Sequence, residues 1–107
     1  MKEHPMGQTE RRDTLLARRL DLVATVSALT SEAQRLNQKL SGIEMDVLRL
    51  ELEIGRSGPN VQLVRDLHEA EESAAALRHA CTTCEERIAA AEGDIDDVDR
   101  CLAETGN

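Results

Sequence analysis

Two apolar heptad seams, nearly equal in length and one residue out of phase with each other, leave this chain few choices other than long paired helices. In the first, Leu15, Leu22, Leu29, Leu36, Ile43 and Leu50 recur every seven residues, and Val26, Ala33, Leu40, Val47 and Ile54 lie four residues after the last five of them. Arg19 takes the corresponding place after Leu15, which weakens the seam at that end. The second seam places Leu67, Ala74, Cys81, Ile88, Ile95 and Leu102 at one heptad position and Leu63, Ala70, Leu77, Cys84, Ala91 and Val98 at the other. A straight continuation of the first seam would run through Ser57, Val61, Val64 and His68, so the junction is a change of register as well as a turn.

Composition narrows the choice to the same class. The 107 residues include no Phe, Tyr or Trp, so the large buried areas that aromatic side chains bring to a compact core are missing. Leu, Ile, Val and Ala must supply the burial, and they suit a helix seam. The fold class expected is all-α: two long heptad helices forming an antiparallel coiled-coil hairpin or part of a helical rod. Residues 1–8, with Pro5 and Gly7 and no period, form the expected flexible tail. The expected hairpin spans 9–105, with helix 9–54, loop 55–60 and helix 61–105; each helix is about 46 residues and roughly 70 Å long. Gly55 is placed as a left-handed cap of the first helix, Pro59 in the first turn of the second, and Gly106 at its end.

An antiparallel hairpin that sets Ile54 opposite Leu63 also sets Leu50 against Leu67, Ile43 against Ala74, Leu36 against Cys81 and Leu29 against Ile88. Large residues then often meet small ones. The same register brings Glu32 near Arg87 but leaves Glu44 near Glu71. The off-seam residues Leu16, Leu20, Val23, Met45, Leu48 and Leu52 stay uncovered in a lone hairpin, which calls for further helices from another copy or a partner.

The net charge of -8 excludes the basic face that nucleic-acid binding requires, and the lack of aromatics removes base stacking. No basic cluster suits an anionic membrane surface, and no apolar run approaches the roughly 20 residues that span a bilayer. Three cysteines do not make the even framework of a secreted disulfide scaffold, so a soluble, intracellular chain is expected. Cys81-Thr82-Thr83-Cys84 has the spacing of a redox or metal motif, yet both thiols fall on the seam, where Cys packs as a small hydrophobe. His79, His68 and Cys101 are the only nearby residues that could complete a zinc site. Asp94, Asp96, Asp97 and Asp99 lack the Gly and distal Glu of a calcium loop and read as a solvated face. No catalytic, cofactor or metal residue is assigned, and no enzyme is expected.

The junction Gly58-Pro59-Asn60-Val61-Gln62-Leu63-Val64-Arg65-Asp66 resembles the loop nonapeptide of the tektins, structural proteins of ciliary and flagellar microtubules, which reads Arg-Pro-Asn-Val-Glu-Leu-Cys-Arg-Asp. Pro59, Asn60, Val61, Leu63, Arg65 and Asp66 are identical; Gly58 and Val64 depart from it, which removes the Arg and the thiol. Leu52 and Glu53 precede the loop as a Leu-Glu pair does in the family. The resemblance covers only the segment around the second of the family's loops. It implies a structural protein of the doublet microtubule wall, in the cytoskeleton of a cilium or flagellum, oligomeric and assembled with tektins or itself and with tubulin, the six identical residues forming an interaction loop. A weaker resemblance, of Cys84 to Ala91, is to tubulin-binding cofactor A, a small helical tubulin chaperone whose third helix has no counterpart here. A subunit of a heteromeric coiled-coil complex of trafficking or kinetochore type is the remaining expectation.

Overall fold

The computed structural model describes residues 7–105. It contains two helices, α1 (Gln8–Ser57) and α2 (Val61–Thr105), joined by three residues, and no strand among the described residues. The fold is an all-α helical hairpin. Of the tail expected at Met1 to Gln8, only Gly7 and Gln8 are described, and Gln8 is already helical; the expected stop at Gly106 lies outside the described residues.

Three of the four helix ends have a chemical cause. At the start of α1 the Gly7 N–H donates to Glu10 Oε1 at 3.1 Å and the Gly7 carbonyl accepts from Arg11 N–H at 3.0 Å, so the third helical residue reaches back over the first turn. At its end Gly58 has a φ of 82°, and its N–H donates to the Ile54 carbonyl at 2.8 Å, a left-handed cap. The cap is therefore Gly58 and not Gly55, and the loop is 58–60 rather than 55–60. The reason is Pro59, whose ring disfavours the helical conformation in the residue before it, whereas an isolated Gly inside a helix costs only about 1 kcal/mol. Pro59 also lies ahead of α2 rather than in its first turn. Asn60 is the cap of α2: its Oδ1 accepts from Leu63 N–H at 2.9 Å and its carbonyl from Val64 N–H at 3.0 Å, which leaves Pro59 ahead of the helix.

The chain divides into two units, residues 31–85 and the pairing of 1–30 with 86–107. In the unit that holds the loop, the seam residues Leu50, Ala74, Cys81 and Cys84 are buried, and Ala33, Leu36, Leu40, Ile43, Val47, Ile54, Leu63, Leu67, Ala70 and Leu77 are half-buried. Ala74 is 1% exposed, the most enclosed of the core residues. The Cys81 thiol donates to Asn37 Oδ1 at 3.5 Å, beside its expected neighbour Leu36. Arg78 donates to Glu44 Oε2 at 3.2 Å, so Glu44, expected beside Glu71 alone, has a cation across the groove. Glu32, expected near Arg87, pairs with Arg35 of its own helix.

In the other unit Ala91 and Val98 are buried, and Leu15, Leu22, Val26, Leu29, Ile88, Ile95 and Leu102 are half-buried. Arg19, the interruption of the first seam, is held by Asp99: its Nε donates to Oδ1 at 2.6 Å and its Nη2 to Oδ2 at 3.4 Å. The bidentate bond and the attraction between the charges raise the Arg19 pKa and hold the Asp99 carboxyl below its usual range. A cation at a seam position thus has a partner, and that end is less open than its sequence suggests.

Candidate interaction surface

The residues expected as an interaction loop are not gathered in one place. Pro59, Asn60, Val61 and Arg65 line an open hollow together with Val64 and His68. Leu63 turns into the seam, half-buried. Asp66 accepts from Gln62 Nε2 at 2.8 Å in its own helix and lines a different hollow with Asp46, Arg49 and Glu69. Four of the six therefore share a surface, and two are used in other ways. Asn60 is also the capping residue of α2.

Two exposed valines missing from the expected uncovered set enlarge this surface. Val61 is 74% exposed and Val64 is also exposed, three residues away on the same face. The signal was available, since neither fits the second seam. Val64, His68, Glu71, Ala75 and Arg78 follow one another at spacings of four and three, so they form one stripe of α2. Glu71 and Arg78 of that stripe line a groove with Glu44, Val47, Leu48 and Ala74. On the α1 side Met45, Leu48 and Leu52 stand at i, i+3 and i+7, all exposed, with Leu52 at 65%. One flank of this unit therefore carries exposed apolar residues from both helices, with Val47 and Ala74 in the groove and Glu44, Glu71 and Arg78 among them. The hollow that holds Asp46, Arg49, Asp66 and Glu69 is lined by Ile43, Leu50 and Ala70 as well, so it mixes charged and apolar surface.

The other unit repeats the feature on α1 alone, where Leu16, Leu20 and Val23 stand at i, i+4 and i+7 with Leu20 at 71% exposure. All six off-seam α1 residues expected to be uncovered are exposed. Three of the four acids in the stretch lie beside arginines: Asp94 is 3.9 Å from Arg18, Asp97 pairs with Arg100 and Asp99 with Arg19. Cys101 is exposed, while Cys81 and Cys84 are buried in the seam. Among the described residues no group of three or more His, Cys, Asp or Glu side chains is placed to hold a metal ion, and no helix is long and apolar enough to cross a membrane.

Chemically, such surfaces bind other apolar surfaces. Exposed Leu, Met and Val at helical spacing present area that water covers poorly, and the charges at the groove rim choose among partners more than they add affinity. Comparison of the chain with protein-family models, with curated proteins and with solved structures gave no match in any of the three.

Proposed function

We propose that this chain is a non-enzymatic structural coiled-coil protein that works by packing the flank of its hairpin against neighbouring helices, as a tektin-like component of ciliary or flagellar doublet microtubules. The observation that carries the assembly role is the exposed apolar flank formed by Met45, Leu48, Leu52, Val61 and Val64. The microtubule assignment rests on the junction's likeness to the tektin nonapeptide. Because Asn60 has a capping role, that likeness now depends chiefly on Arg65, which lies in the hollow with Val61 and Val64 and has no part in the caps. Partners are other coiled-coil proteins and tubulin.

A tagged copy expressed in ciliated cells tests this reading. Retention in the axoneme after detergent and high salt is expected, and Arg65→Ala should reduce it. Clean extraction with the soluble cytoplasm would sink the microtubule assignment. The second reading, a subunit of a heteromeric coiled-coil complex, is favoured by the capping bond of Asn60 and the Gln62–Asp66 bond, which account for two loop residues without tubulin. It expects the extracted chain to migrate in a stable complex of fixed stoichiometry.

A further inference from the structure

Cys81 and Cys84 are free thiols buried in the unit that holds the turn, 7% and 4% exposed. The proposed function uses neither, and the third cysteine, Cys101, lies in the other unit. The two stand three residues apart inside α2, so their side chains are neighbours on one face of the helix. We infer that they form a reversible dithiol–disulfide couple whose closure loosens this unit of the hairpin, a redox switch set into the seam.

Helix geometry admits the bond and makes it strained. The Cα atoms of such a pair lie about 5 Å apart, inside the roughly 4.4–6.8 Å window of a disulfide. Their Cβ atoms, however, are about 5–6 Å apart, beyond the roughly 3.5–4.5 Å that the bond requires. Closure must therefore tighten that turn toward 3₁₀ geometry, in which side chains at i and i+3 eclipse. At about 120° per residue instead of about 100°, three residues turn Cys84 roughly 60° out of line with Ala74, Leu77 and Cys81. Among the described residues this unit buries only Leu50, Ala74, Cys81 and Cys84, so displacing one of them weakens a seam with little to spare. A ring this small restrains the unfolded chain less than a long loop would, and the loss in the folded state dominates.

The surroundings give the sulfurs access and room. The Cys81 thiol donates to Oδ1 of Asn37, an exposed residue, which puts this sulfur at the edge of the seam. In the register that sets Leu36 against Cys81, Ala33 lies against Cys84, and only a methyl group opposes the turning of the second sulfur. The oxidant is a low-molecular-weight disulfide such as oxidised glutathione. The Cys81 thiol loses its proton to solvent, and the thiolate attacks one sulfur of that disulfide and expels the other. The Cys84 thiolate, formed in the same way, then attacks the Cys81 sulfur of the mixed disulfide and expels the second small thiolate. Each expelled thiolate takes up a proton, so two protein thiols are oxidised and one small disulfide is reduced to two thiols.

The inference is independent of the proposed function, since it concerns two sulfurs inside the hairpin and not its flank. Its test uses the full chain carrying Cys101→Ser, incubated with oxidised glutathione just below the melting midpoint so that the seam opens often. After acid trapping and alkylation, mass spectrometry should find a monomer without alkylated thiols, with two hydrogens missing from the peptide that contains Cys81 and Cys84. By circular dichroism the oxidised chain should melt several degrees below the reduced one. Reduced glutathione in excess should restore both the thiols and the original melt, because a strained disulfide yields to that pool whereas a structural one resists it. Cys84→Ala in the same background should instead stop at one glutathione on Cys81. Thiols that stay free, links between chains, an oxidised chain as stable as the reduced one, or a bond that reduced glutathione cannot break would each overturn the switch.

Discussion

Arg19 shows how a single residue that breaks a pattern is accommodated. A guanidinium at a seam position would face apolar neighbours without compensation, and Asp99 supplies a bidentate acceptor from the opposite helix. The Asp99 carboxyl is held below its usual range first by that hydrogen bond, with a further contribution from the charge of Arg19. A depressed folded-state pKa means that the stabilisation is complete above the unfolded carboxylate value, near about 4, and fades as the pH falls through the folded value. Thermal melts across the acid range should therefore show a steeper loss of midpoint for the natural chain than for Asp99→Asn. Parallel acid limbs for the two would remove the pair from the account. Asn60 allows a second residue-scale test: Asn60→Ala should cost about 1 kcal/mol in denaturant unfolding, and Asn60→Asp, which keeps the accepting oxygen, should cost little. Equal losses in the two variants would mean that the capping bond is not what Asn60 contributes.

The helices themselves were the most legible elements of the chain. The two seams rest on a period of seven, and a period is a local property that needs no knowledge of the partner. The helix ends were less legible, because Gly55 and Gly58 are equivalent until the effect of Pro59 on its predecessor is weighed. The difference can be measured. Gly55 is helical with open space where a Cβ would lie, so Gly55→Ala should stabilise α1 by roughly 0.5–1 kcal/mol. Gly58→Ala forces a side chain into a left-handed backbone at φ 82° and should destabilise by about 1 kcal/mol or more. Opposite signs in urea midpoints are expected, and a stabilising Gly58→Ala would contradict the cap. Arg19–Asp99 and Arg78–Glu44 were illegible for another reason. They depend on register between helices, where a shift of one residue changes every cross-pair but leaves the heptads unchanged.

For the molecule as a whole, a core of small side chains has thermodynamic consequences. Among the described residues the buried ones are Leu50, Ala74, Cys81, Cys84, Ala91 and Val98, and no large side chain is completely enclosed. Leu50 is the largest of these, so Leu50→Ala should cost on the order of 2–3 kcal/mol and leave a chain of this size close to unfolding. A loss well under 1 kcal/mol would mean that the seam is less tightly closed at Leu50 than its burial indicates. The interaction surface was only partly legible in the sequence. Exposure of the six off-seam α1 residues follows from helical spacing, whereas the dispersal of the loop residues among cap, seam and two hollows follows from a turn only three residues long. The three thiols add a clock to this molecule. Cys101 is open to reagent, while Cys81 and Cys84 lie in the seam of the unit that carries the turn. A small alkylating reagent should therefore modify one site at once and the other two only as fast as that unit opens, so their delay reports how often the hairpin parts without any probe being added.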